Sequence, residues 1–156
     1  MSQSGTSDKR AIAAPSGNPR SIVESGIWEP SPHFLLGSPI DVEATGSYKK
    51  IGPLVLLDAL IIFLNVEGAG GSFVVGSMPF SCADLSLSGT LHSWENIAIP
   101  RGYFDMTFRV LETGENSNRM WLQAFGRRNN PTFLSADDFA NNSELQMTAW
   151  YFTEDK

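Results

Sequence analysis

The sequence predicts an all-β protein, an antiparallel β-sandwich of jelly-roll type preceded by a short extended N-terminal arm, and three observations carry that expectation. About eight short apolar runs are separated by turn residues every 8–12 positions or so, the spacing of sandwiches and barrels. Several runs alternate at period two, most clearly Phe104, Met106, Phe108 and Val110 against Asp105, Thr107 and Arg109. The longest run, Leu54 to Leu64, holds one charged residue, Asp58, and is apolar in both alternating sets: Leu54/Leu56/Leu60/Ile62/Leu64 and Val55/Leu57/Ala59/Ile61/Phe63. A strand covered on one side alternates, so two apolar sets imply cover on both faces, from a second sheet or from another subunit.

Taken in order, residues 1–25 are rich in Ser, Gly, Ala and Pro and show no strand or helix period. Such a composition stays disordered on its own. The expectation is an attachment arm over 1–25, with Arg10, Ile12, Arg20 and Ile22 as its contact residues, and one β-sandwich domain over 26–156. Ile27-Trp28 and His33 to Leu36 read as short extended pieces around Pro30 and Pro32, which exclude a helix. Gly46 to Gly52 leads into the central strand. Pro53 cannot donate to a ladder, which places the start of that strand at an edge or bulge. Gly68-Ala69-Gly70-Gly71 reads as a hairpin turn into Phe73 to Gly76. Leu85, Leu87, Gly89 and Leu91 alternate with Ser86, Ser88 and Thr90, and Ile97 to Ile99 stops at Pro100. Residues 104–110 and 120–124 make a hairpin about a polar loop. Ser135 caps a single turn through Asp137 and Asp138, and Leu145 to Phe152 is the last strand, with aromatics on both faces.

Composition bounds the partners. A chain of 156 residues builds one domain with a proper core. Its net charge of -6 repels phosphate backbones and anionic membranes. The apolar run falls short of the roughly 20 residues a membrane-spanning helix needs, and the N-terminus lacks the basic, apolar and small-residue order of a signal peptide. Neither a nucleic-acid partner nor membrane insertion is expected. The single cysteine, Cys82, excludes an internal disulfide, makes no zinc site alone, and reads as a small buried residue.

Catalytic chemistry is sparse. His33 and His92 read as loop or surface residues. Asp137 and Asp138, adjacent in one turn, diverge and do not flank one glycosidic bond. Asp58, inside the apolar run, must be paired or hydrogen-bonded if it is buried, with Arg109 and Lys49 as the candidate partners. Gly68 to Gly71 lacks the Lys-Ser/Thr of a phosphate loop. No catalytic residue, metal or cofactor is expected. Trp94 and Trp121, with Arg127, Arg128 and Asn129, are the candidates for sugar contact, because flat aromatics beside amide and guanidinium groups suit a ring with a CH face and many hydroxyls. Leu57, Ile61, Phe63, Trp150 and Phe152 are the candidates for a subunit interface.

Four groups of residues carry a resemblance: Gly26, Trp28 and Pro30; Gly46, Tyr48, Lys49, Ile51, Gly52, Leu54 and Val55; Val75, Met78, Pro79 and Phe80; and Leu134, Ser135, Asp138, Phe139, Asn141, Ser143 and Leu145. In this order and spacing, between Gly26 and Phe152, they resemble the knob-like β-sandwich domain of tail fibres, tailspikes and related virion structural proteins of tailed bacteriophages. The resemblance implies a non-enzymatic homotrimer on the outer surface of a phage particle, assembled in the host cytoplasm, with a host surface glycan as candidate partner. Members of that family commonly end a long chain with its own attachment domain and shaft, whereas here 25 residues precede the fold. The expectation is that the arm attaches the knob to another virion protein as a tail fibre or spike component. A capsid decoration (cement or head fibre) protein is the alternative, and a carbohydrate-active enzyme the least favoured reading.

Overall fold

The computed structural model describes residues 23–83, 88–110, 118–127 and 129–154. They form ten strands: β1 (Val23–Trp28), β2 (Ser31–Gly37), β3 (Asp41–Ile51), β4 (Leu54–Asn65), β5 (Ala69–Gly76), β6 (Ser88–Ile97), β7 (Asp105–Arg109), β8 (Met120–Phe125), β9 (Thr132–Phe133) and β10 (Phe139–Phe152). One sheet has the order β1-β3-β4-β10-β6 and the other β2-β5-β8-β7, with β9 also paired to β8. Every pairing is antiparallel. The expected all-β sandwich is therefore the observed fold, and β1 begins at Val23, inside the segment assigned to the arm. Arg10, Ile12, Arg20 and Ile22 lie outside the described residues.

The core forms where the inward sets of the two sheets meet. Val55, Leu57, Ile61 and Phe63 of β4 face Phe73, Phe108, Met120 and Leu122, all at 0% exposure. Its centre is a cluster of Phe34, Phe63, Phe73 and Phe139, drawn from both sheets, with ring centroids 4.9 to 6.3 Å apart. Offset and edge-on pairs of this kind add to the burial of the rings. The 104–110 and 120–124 strands pair as β7 and β8, with Met106, Phe108, Met120, Leu122 and Ala124 buried as expected, whereas Phe104 precedes β7 and is 60% exposed. Leu145, Met147, Ala149 and Tyr151 likewise face inward, and Cys82 is buried.

Four expectations are corrected. The glycine-rich turn at 68–71 is no hairpin, because β4 and β5 belong to different sheets; glycines at positive φ, Gly68 and Gly71, reverse the chain while it crosses the sandwich. The true hairpin is β3–β4, where Ile51 opposes Leu54 across Gly52-Pro53. Gly52 at φ 58° followed by a proline is the order a type II′ turn requires, so Pro53 sits in a turn, where its missing N–H costs nothing, rather than at an edge or bulge. Asp58 is exposed and hydrogen-bonded to Thr148, not paired with Arg109 or Lys49. Finally, Leu57, Ile61 and Phe63 are core residues at 0% exposure and cannot form a subunit interface. Their alternation puts Asp58 in the opposite set, and facing that set outward spares the sheet a buried carboxylate.

One corner gathers five of the residues that carry the phage-domain resemblance, Gly26, Trp28, Gly46, Tyr48 and Phe80. In the β1–β3 register Gly26 opposes Tyr48 and Gly46 opposes Trp28. Each glycine leaves room for the aromatic ring across from it: a Cβ on Gly26 would stand 2.7 Å from Tyr48 Cε1, and one on Gly46 2.8 Å from Trp28 Cε3. Trp28 Nε1 donates to the Ser77 carbonyl at 2.5 Å. Tyr48 packs edge-on against Phe80 with centroids 5.3 Å apart. The Lys50 ammonium lies 4.5 Å from the same ring's centroid, and Tyr151 Oη donates to the Phe80 carbonyl at 2.9 Å. The 77–80 segment that leaves β5 is thereby clasped to the β1–β3 edge.

Tyr48 Oη also donates to Glu24 Oε1 at 2.9 Å. That bond holds the phenol's pKa above its ordinary value, with burial and the Glu24 charge acting in the same direction. A raised phenol pKa contributes stability that is complete below about pH 10, the unfolded value, and is lost as pH rises through the folded one. Ultraviolet titration of phenolate, with Tyr48→Phe identifying the contribution of this residue, is therefore expected to find Tyr48 ionising above the ordinary tyrosine value, and Glu24→Gln is expected to lower it.

Candidate functional site

The candidate site is the outer face of the five-stranded sheet. Register and alternation place it as a grid. At one end Val23, Ile51, Leu54 and Phe152 stand side by side across β1, β3, β4 and β10. From there an apolar column runs along β4 through Leu54, Leu56, Leu60, Ile62 and Leu64, broken by Asp58. Trp150 stands beside Leu56 and meets Phe152 edge-on, centroids 6.1 Å apart. Trp150 and Phe152 are each 42% exposed, Val23 52% and Leu64 39%. Polar residues flank the column: Glu43, Thr45, Ser47 and Lys49 on β3, and Glu144, Gln146 and Thr148 on β10.

A hydrogen-bonded chain crosses the middle of this face. Thr148 Oγ1 donates to Asp58 Oδ1 at 2.6 Å, which leaves the same oxygen to accept from His92 Nε2. The bonding thus assigns the proton to Nε2 of His92. A nucleophilic triad sets the imidazole between hydroxyl and carboxylate, so that the base withdraws the hydroxyl proton. Here the hydroxyl lies between the other two and gives its proton directly to the carboxylate. The chain ties β6, β10 and β4 together. Shallow depressions of about 520 Å³ and 330 Å³ lie on either side of Ser47 and Asp58. Among the described residues no group of three or more His, Cys, Asp or Glu is placed to hold a metal ion, and no helix is long and apolar enough to cross a membrane.

The sugar-contact candidates are not gathered into one place. Trp94 lies in β6, not in a loop, opposite Leu145, and packs against the core. His92, read as a loop or surface residue, is exposed and lies within β6. Trp121 is half-buried in β8, on the outer face of the other sheet, tilted onto Phe133 with centroids 5.3 Å apart. Arg127 and Asn129 are exposed in the loop after β8, past the end of the strand that carries Trp121. Asn129 Nδ2 donates to the Gly102 carbonyl at 3.3 Å and Tyr103 Oη to the Asn130 carbonyl at 2.9 Å, so this loop is braced against the 100–103 turn. Arg128 lies outside the described residues. Of the interface candidates, Trp150 and Phe152 remain on the exposed face. What sequence reading missed is their company: Leu54, Leu56, Leu60, Ile62, Ile51 and Val23. The readable signal was parity, since Asp58, Trp150 and Phe152 mark which set of each strand faces out.

This arrangement defines a two-sheet antiparallel sandwich with one uncovered apolar sheet face. No protein-family model and no curated protein matches the chain. Among solved structures, the crystal structure of Dettilon tailspike protein (gp208) has a similar fold, with a TM-score of 0.68 at 10% identity, over 83% of this chain. The match spans 24% of the tailspike chain. The likeness is therefore one of fold, to a portion of a phage tailspike.

Proposed function

We propose that this chain is a structural component of a tailed-phage virion: a non-enzymatic, homotrimeric tail fibre or spike module that presents the sandwich on the particle's outer surface and is anchored to another virion protein through residues 1–25. The observation that carries the reading is a fold like that of a tailspike portion. The apolar outer face of the five-stranded sheet supports the homotrimer, since a soluble monomer gains nothing from exposing it. The order of the His92–Thr148–Asp58 chain, which is not that of a nucleophilic triad, supports a structural role over a catalytic one.

Electron microscopy of particles carrying gold-labelled antibody against the sandwich tests the location. Label in a few copies at the tail is expected. Dense label over the head would instead make the chain a capsid decoration protein, and absence from purified particles would overturn the virion reading.

A further inference from the structure

The outer face of the five-stranded sheet leaves Val23, Leu64, Trp150 and Phe152 39–52% exposed along one contiguous apolar path, and a contiguous exposed apolar path rimmed by polar residues marks an interaction site. Its shape restricts what covers it. The apolar column is one strand wide over Leu60, Ile62 and Leu64, runs along the middle strand of the sheet, and has charged or polar neighbours on both flanks. Flat stacking of two such sheets would bury the whole width of roughly 20–25 Å, leaving Glu43, Lys49, Glu95 and His92 dry. Packing about an axis that runs beside β4 buries the column and leaves its flanks wet.

We propose that copies of this chain meet through this face, with β4 of each copy lining a common axis. The inference rests on the homotrimer reading and adds to it the face, the direction of the axis and the contacts. Lys49 and Trp150 are the opposite neighbours of Leu56, so rotation about that axis sets Lys49 of one copy against the Trp150 ring of the next, a cation–π contact. The row of Val23, Ile51, Leu54 and Phe152 widens the apolar contact at the same end. At the other end Glu43 and Glu144 are the opposite neighbours of Ile62. The same rotation opposes carboxylates there, so the copies pack closely at the Leu54 end and diverge at the Leu64 end. Asp58 interrupts the column midway, and its bond from Thr148 draws the carboxylate toward β10, off the axis.

Sedimentation velocity on the full chain, with circular dichroism as the folding check, tests this with three variants. Leu60→Glu puts a charge on the column, Lys49→Glu removes the cation from an exposed position, and Leu35→Glu alters an exposed residue of the other sheet, 40% exposed. The wild type and Leu35→Glu are expected to sediment as trimers. Leu60→Glu is expected to be a folded monomer, and Lys49→Glu to dissociate at least several-fold more readily; if Leu60→Glu does not fold, Lys49→Glu decides. Trimers that persist in both Leu60→Glu and Lys49→Glu would overturn this face while leaving the homotrimer reading standing. A wild type that stays monomeric at every concentration would overturn both.

Discussion

Phe63→Ala is expected to destabilise the sandwich by about 3–5 kcal/mol, the range for removing a fully buried phenylalanine. Phe63 is 0% exposed and touches the rings of Phe34, Phe73 and Phe139, so its loss opens a cavity between the two sheets that only concerted movement of three aromatics can fill. Natural domains are stable by about 5–15 kcal/mol. The substitution therefore removes a large part of the total, and a urea midpoint measured against wild type reads it. Leu64→Ala is the contrast: one position along the same strand, on the opposite face and 39% exposed, it is expected to leave the midpoint of the isolated chain nearly unchanged.

Gly46→Ala carries the second large effect. The added methyl would stand 2.8 Å from Trp28 Cε3 and 3.0 Å from the Asp58 carbonyl. The ring can tilt, but the carbonyl belongs to the β3–β4 ladder, where Ser47 opposes Asp58, and cannot move without breaking the pairing. Overpacking of this kind costs about 1–3 kcal/mol. The clasp at the corner adds to the loss, because a displaced Trp28 gives up its hydrogen bond to Ser77. In thermal unfolding, Gly46→Ala is expected to melt several degrees below wild type. Its Trp28 fluorescence is also expected to shift, which Phe63→Ala should not produce.

Much of the fold was legible because period two survives wherever a strand has one wet face. β7, β8 and the inward set of β10 could be read directly from the alternation of Met106 and Phe108, of Met120 and Leu122, and of Leu145 to Tyr151. Three features resisted. The Gly68–Gly71 turn signals a reversal, but nothing local distinguishes a hairpin from a crossing between sheets, because the partners of β5 are β2 and β8, far away in sequence. β6 carries a register shift against β10, with Ser93 opposite Gln146 and Leu91 opposite Met147, so His92 is an extra residue that breaks the period and hides the strand. β10 runs back to Phe139 through Asn142 at φ 63° and a register shift, an irregularity that reads as a loop. At the candidate site, both sets of β4 are apolar, and hydrophobicity alone could not say which faces outward. The carboxylate of Asp58 decided it.

Part of the resemblance, carried by residues scattered in sequence, describes one physical object. Gly26, Trp28, Gly46, Tyr48 and Phe80 lie together in the corner clasp, and Lys50 and Tyr151 complete it. Residues so spaced in sequence have a reason to occur together, because each glycine is the space its opposing aromatic ring needs.

Hydroxyl-radical footprinting of the assembled protein, read residue by residue by mass spectrometry, tests most directly the claim that the outer face of the five-stranded sheet is covered by other copies. Phe104, 60% exposed just before β7 of the other sheet, serves as the freely reactive reference. Trp150 and Phe152 are expected to be protected in the assembly and to become reactive in Leu60→Glu, while Phe104 stays reactive in both. Trp150 and Phe152 as reactive in the wild type as in the variant would contradict the account.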